Sequence, residues 1–363
     1  MKTFTVLQRT FLIALALLLA NFSVSGQDAP KAAEPTIKWS GYVGAYYAWD
    51  NDKGANPRQF SFIAPNREEF GLDIAMLSFE YAADKVRAKA TIQYGDVVRG
   101  WSGISTDALL NRGNIQEAYA GFRLGQGFWV DAGFFLTHVG TEGFFPKDNF
   151  LSTLATTTLY EPFGQAGVRF TYEFSNKLTG QLNLLNGFST FASDQPSNES
   201  PRAQAFGIQL TYKLSDNAKV VYDNVIGEVN AGANFRTYHN LYFSVTSGNL
   251  EFNVGGDFAT QNKTPTAGES ATYLSGLAEA RYGLSDLVRV MGRVEYFNDE
   301  KNVLGSGNLQ LAGFTGGFDL RPAENGFIRL EGRYLQGLDD AKRFNGASSK
   351  SRLEVVVTTG VSF

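Results

Sequence analysis

Apolar and polar side chains alternate along many short stretches of this chain, most cleanly over residues 351–363. Leu353, Val355, Val357, Thr359, Val361 and Phe363 fall on one face, and Arg352, Glu354, Val356, Thr358, Gly360 and Ser362 on the other. A period of two marks a β-strand, whose successive side chains point to opposite faces. An edge strand of a soluble sandwich shows the same pattern, so the rest of the chain decides. Residues 37–49 repeat it, with Trp39 and Trp49 at opposite ends of one face. About ten residues at ~3.3 Å each, tilted by ~40°, cover roughly 25 Å, the height of the apolar band between the aromatic girdles of a membrane barrel.

The same test predicts sixteen strands, over 37–49, 70–81, 86–95, 115–124, 128–136, 165–174, 177–185, 205–213, 218–226, 238–246, 250–259, 272–282, 287–297, 309–321, 327–335 and 351–363. The second changes phase near Met76 and Leu77, which predicts a β-bulge there. Connections alternate in length. Short ones at 125–127, 175–176, 215–217, 247–249 and 283–286 carry tight-turn residues, and long ones fall near 50–69, 96–114, 137–164, 186–204, 227–237, 260–271, 298–308 and 336–350. The expected fold is all-β: a transmembrane antiparallel β-barrel with short periplasmic turns, long extracellular loops and both termini in the periplasm.

Lys2 and Arg9, the apolar run 11–20 and the small residues Ser23, Ser25 and Gly26 follow the order of a secretory signal peptide, expected at 1–26. The polar segment 27–35 reads as a periplasmic leader, and 36–363 as one barrel domain. The run at 11–20 is far short of the ~20 residues a spanning helix needs, and no later stretch is longer, so a barrel is the only membrane form open. Cysteine is absent, which removes disulfides, thiolate metal sites and cysteine nucleophiles. The net charge of −4, without a basic block, gives no reason to expect nucleic-acid binding.

Sixteen strands enclose enough space for an aqueous channel, whereas eight are filled by their own side chains. Charges facing lipid near the midplane cost ~2–4 kcal/mol each, so the charged phases must face the lumen. Lys38, Arg87, Lys89, Arg123, Arg293, Glu295, Glu331 and Arg333 are the candidate pore-lining residues, among further inward charges such as Glu117, Asp131, Glu279, Asp319, Arg329, Arg352 and Glu354. The longest connection, 137–164, carries Glu142, Lys147, Asp148 and Glu161 together with Phe144, Phe145 and Pro146. Folded inward, it narrows the channel and sets its carboxylates across from the wall arginines, Arg293 and Arg333 above all, as charges in a constriction that orient solutes. Folded outward, it is an external cap.

The segment YEPFGQAGVRFTYEF, residues 160–174, followed by a turn, the strand QLNLLNG at 181–187 and a polar loop, resembles the putative β-barrel porin-2 family, the OmpL-like porins. The resemblance runs over most of the expected barrel. It implies a channel-forming outer-membrane protein without catalytic residues to carry over. The segment THVGTEGFFPKDNFLSTLATTTL before Tyr160 departs from the Asn- and Tyr-rich loop expected there. A long loop after the fifth strand and a terminal aromatic also resemble the general sixteen-stranded porins. This implies that Phe363 is read by the barrel-assembly machinery.

Other chemistry is sparse. Of the two histidines, His138 and His239, the second has polar neighbours such as Asn240, but so does any strand top rich in polar residues, so a barrel hydrolase is a minor reading. Asp339-Asp340 is followed by Lys342 and Arg343, as in an ordinary charged loop. The DNDKG run at 50–54 begins like a calcium loop but has its glycine one position early, and reads as a turn. No cofactor motif is present. The expected partners are the lipid bilayer, the assembly machinery and small hydrophilic solutes, with homo-oligomerisation open. Two functions compete: a diffusion channel, and a closed barrel whose long loops bind a partner at the cell surface.

Overall fold

The computed structural model describes residues 34–54, 56–98, 112–188, 204–229, 235–262 and 269–363. The expected signal peptide and most of the leader lie outside the described residues, as do the central parts of four long connections. The sixteen strands are β1 (Thr36–Asp50), β2 (Phe70–Ala82), β3 (Val86–Tyr94), β4 (Ile115–Gly125), β5 (Phe128–Leu136), β6 (Gly164–Glu173), β7 (Leu178–Leu185) and β8 (Ala205–Ser215) in the first half. The second half contains β9 (Ala218–Glu228), β10 (Phe235–Ser247), β11 (Leu250–Gln261), β12 (Ala271–Gly283), β13 (Val288–Asp299), β14 (Leu309–Ala323), β15 (Gly326–Gly337) and β16 (Ser351–Ser362).

Each strand pairs antiparallel with its sequence neighbours, and β1 pairs with β16 in register from Tyr42 opposite Ser362 to Asp50 opposite Glu354, closing the barrel. Closure leaves no edge with unpaired backbone groups, a requirement inside a bilayer. Phe363 extends the seam beyond β16: its N–H and C=O bond the C=O and N–H of Gly41 at 3.0 and 2.8 Å.

The outward phase forms a continuous apolar belt. Trp39, Phe122, Tyr172 and Phe318 stand exposed toward the short-turn end, and Trp49, Phe70, Tyr94 and Tyr296 toward the long-loop end, with Val, Leu and Ile between. This is the distribution of lipid-facing strands between two aromatic girdles.

The bulge in β2 lies three residues before its expected place. The β1–β2 register shifts between Gly44, opposite Ile74, and Ala45, opposite Leu72, so Asp73 is the extra residue. The shift turns both Asp73 and Ile74 inward. Without it an aspartate would face lipid; the alternation around Met76 and Leu77 continues unbroken.

Candidate functional site

The connection between β5 and β6 turns into the lumen. Phe144, Phe145, Leu154 and Ala155 are buried, and the first three pack with inward residues of the wall, including Tyr42, Tyr46, Met76, Phe327 and Val356. Apart from short turns at Pro146–Asp148 and Thr157–Tyr160, the segment has no secondary structure. Its buried backbone groups must therefore find partners elsewhere.

Charged wall side chains supply them. Glu331 accepts hydrogen bonds from the Ser152 N–H (2.5 Å), the Thr153 N–H (3.0 Å) and the Thr153 hydroxyl (2.7 Å). Glu295 accepts from the Thr156 N–H at 2.5 Å. Arg329 donates to the carbonyls of Pro146 (2.7 Å) and Asn149 (3.0 Å). Arg293 donates to Glu142 (2.7 Å) and to the Thr153 carbonyl (2.5 Å), while the second Glu142 oxygen accepts from the Ala155 N–H and the Thr158 hydroxyl, both at 2.8 Å. A further anchor is the Thr157 hydroxyl, within 2.6 Å of Asp257 and Ser275 and 2.5 Å of the Tyr273 hydroxyl. The loop is thereby fixed to the wall formed by β11–β16.

These contacts belong to a longer chain of buried ion pairs. From the 51–69 loop, Arg58 joins Asp50 (2.7 Å) and Glu354; Arg333 joins Glu354 (3.4 Å) and Glu295 (2.8 Å); Arg293 joins Glu295 (3.6 Å) and Glu142 (2.7 Å). Both long loops are thus tied to one charged ladder. Such a ladder adds little net stability over apolar packing, but removing one partner leaves an uncompensated buried charge.

On the opposite wall, water still reaches the side chains. Arg87 holds Asp131 through two bonds of 2.7 and 2.6 Å, Arg169 reaches the same carboxylate at 2.9 Å, and Lys89 pairs with Glu117 at 2.9 Å. The Arg87, Lys89 and Arg169 side chains keep 29, 27 and 16 % exposure, against 0 and 1 % for Arg293 and Arg333. A cavity of about 240 Å³ opens here, lined by Glu117, His138, Arg169, Gln181, Asn183 and Gln209.

The candidate residues therefore separate into three groups. Arg87 and Lys89 face the wet side, while Lys38 and Arg123 lie at the periplasmic mouth, the latter 2.8 Å from Asp84. Arg293, Glu295, Glu331 and Arg333 are sealed beneath the loop. Of the four charged loop candidates, Glu142 is the one that pairs with a wall arginine among the described residues. Lys147 and Asp148 pair with each other at 2.7 Å on the exposed turn. Glu161 is buried near Asp223 and Asp257, and neither of its oxygens has a hydrogen-bond donor among the described residues. Burial, and then the charges of Asp257, Asp223 and Glu142, push its pKa well above the usual carboxylate range.

Arg58, Arg169 and the hydroxyl run 152–153 and 156–158 did not stand out in the sequence. Arg169 sits on the inward phase of β6 and was within reach of the alternation test, whereas Arg58 lies in a loop that has no period. The DNDKG run is a turn: Asp50 and Asp52 accept the N–H groups of Asp52 and Gly54, each at 2.9 Å, and Asp50 also holds Arg58. His138 is held by Gln165 (3.0 Å) and the Asn224 carbonyl (2.8 Å), and burial lowers its pKa to about 4, so it is neutral at pH 7. Asp339 is clamped by Arg343, and Asp340 lies 2.9 Å from Lys350.

A closed sixteen-stranded barrel with an apolar belt, a charged interior and a long loop folded inside defines an outer-membrane porin. The chain belongs to the family described as Putative beta-barrel porin-2, OmpL-like, whose sequence profile matches residues 36–363. It is a channel protein of the outer membrane of a Gram-negative-type bacterium. No curated protein matches the sequence significantly. Among solved structures, it is similar to an anion-selective porin from Comamonas acidovorans (12% identity, 91% of this chain and 100% of that one, TM-score 0.65). It also resembles the channel DcaP of Acinetobacter baumannii (11% identity, 91% and 97% coverage, TM-score 0.61). A third is the trimer form of in-vitro folded OmpT from Vibrio cholerae (10% identity, 91% and 99% coverage, TM-score 0.62). At these identities the likeness is one of fold.

Proposed function

We propose that the protein is a passive diffusion channel for small hydrophilic solutes and ions, with residues 137–163 as its constriction and no enzymatic step. The observation that carries this reading is the one-sided docking of the loop. Its middle, residues 142–157, is hydrogen-bonded to β11–β15, with apolar contacts to β1 and β2, while the Arg87, Lys89 and Arg169 side chains on β3 and β6 stay partly exposed. The narrowest passage runs between the loop and that wall, where charges on low-dielectric surfaces act on passing ions. Residues 1–26 serve as the export signal and Phe363 as the signal to the assembly machinery. Association into trimers fits the barrel class, as in the trimer form of OmpT.

Planar-bilayer recording of the refolded protein tests the reading. Stepwise conductance that rises when residues 147–153 are replaced by a short Gly-Ser link supports it. Absence of steps from correctly folded barrels would favour the closed, surface-binding alternative.

A further inference from the structure

A larger cavity, about 820 Å³, lies at the extracellular mouth between the loops at 51–69, 137–163, 300–308 and 338–350, with Asp96 after β3 also in its lining. This volume is within the ~300–1,000 Å³ range of small-molecule sites. Its apolar lining combines Pro57, Pro65, Leu159 and Ala347 with four aromatic rings. Phe62 stacks on Phe163 with centroids 4.6 Å apart and planes 23° apart, and Phe163 in turn rests on buried Phe144 at 4.3 Å. Phe60 meets buried Phe344 edge-on at 5.9 Å, and Tyr160 meets buried Phe297 at 5.1 Å. Each lining ring is thus backed by the core on one side and only partly buried. Water against such surfaces is unfavourable, and a cluster of them at the entrance of a hydrophilic channel marks a place where something apolar is received.

The rim gives the charge of that ligand. Lys342 is exposed and has no ion-pair partner among the described residues. Arg343 beside it is fixed by Asp339 and by the Asn308 carbonyl at 2.8 Å. The cavity's carboxylate, Asp96, already accepts the Tyr46 hydroxyl at 2.6 Å.

Resting on the channel reading, we propose that this vestibule is a capture site for small organic anions that carry a flat ring, such as arene carboxylates. The ring lies against Phe62, Phe163 and Phe60, and its carboxylate is held by Lys342. A hydrated inorganic anion gains only the charge, and a neutral ring only the aromatic surface; the ligand that uses both is held longest before it enters the constriction.

The test is current interruption in single-channel records in KCl, with benzoate, acetate, benzyl alcohol or glucose added on the extracellular side. Benzoate should half-block at a concentration at least tenfold below acetate or benzyl alcohol. Lys342→Gln, on an exposed loop, and Phe62→Leu should each raise that concentration about fivefold or more, and Lys342→Arg should restore it. Equal block by benzoate and acetate, or no response to either variant, would overturn the proposal. Preferential block by glucose would assign the vestibule to neutral sugars and overturn it equally. Conductance in KCl alone reports on the channel reading separately, so the two can fail independently.

Discussion

Glu142→Ala is the most direct perturbation of the loop. The carboxylate accepts hydrogen bonds from the Arg293 guanidinium at 2.7 Å, and from the Ala155 N–H and the Thr158 hydroxyl at 2.8 Å each, with both side chains of the ion pair fully buried. Removing one partner of a buried pair costs about 3–5 kcal/mol. Arg293 keeps Glu295 at 3.6 Å and the Thr153 carbonyl, so the lower half of that range, ~3–4 kcal/mol, is appropriate. At ~1.4 kcal/mol per factor of ten, excursions of the loop from the wall become some hundredfold to thousandfold more frequent. Glu331, Glu295 and Arg329 still hold the segment, so the docked loop stays the ground state. Single-channel records should then show brief sublevels of higher conductance, and in Glu142→Ala/Glu331→Ala the higher level should dominate. Identical conductance without sublevels, from variants whose unheated barrels migrate normally on gels, would refute the view that this network holds the constriction in place.

The docked loop binds a proton at Glu161 that a released loop gives up, so its docking is complete below the ordinary carboxylate pKa of ~4.3 and weakens as pH rises toward the raised value. Asp223, Asp257 and Glu142 face Glu161 with Tyr238 and Tyr273, so open-level occupancy should climb with pH in wild type and stay flat in Glu161→Gln; parallel pH profiles would count against this. Neutralising Arg87, Lys89 and Arg169 together should move the reversal potential in a salt gradient toward cations, whereas Arg293→Met with Glu142→Met, a swap of the sealed pair, should move it little. An unchanged potential in the first variant would remove these residues from selectivity. Deleting Phe363 should lower insertion in cells, while detergent-refolded barrels lose about 1–2 kcal/mol of interfacial burial and two backbone hydrogen bonds to Gly41 of about 1 kcal/mol each; equal insertion would contradict its assembly role.

The period-two alternation was enough to place every strand, with ends within three residues of those observed, because facing lipid or lumen is imposed residue by residue. The alternation of short and long connections fixed which end of the barrel carries the loops. Even so, the sequence puts the bulge three residues too late, since a single extra residue inverts the phase without a local mark of where along the strand the register yields. The sequence also singled out the 137–164 connection and Glu142 as candidates. Tertiary structure alone decided that Glu142 meets Arg293 across 151 positions, and Ser152 meets Glu331 across 179. It also decided that Glu161 lies among acids, and that Arg293 and Arg333 are sealed while Arg87, Lys89 and Arg169 stay wet. A strand's phase says that a charge faces inward. Whether it then meets water or a loop depends on where a segment without periodicity comes to rest, and that is set by packing and by buried backbone groups seeking partners across the whole barrel.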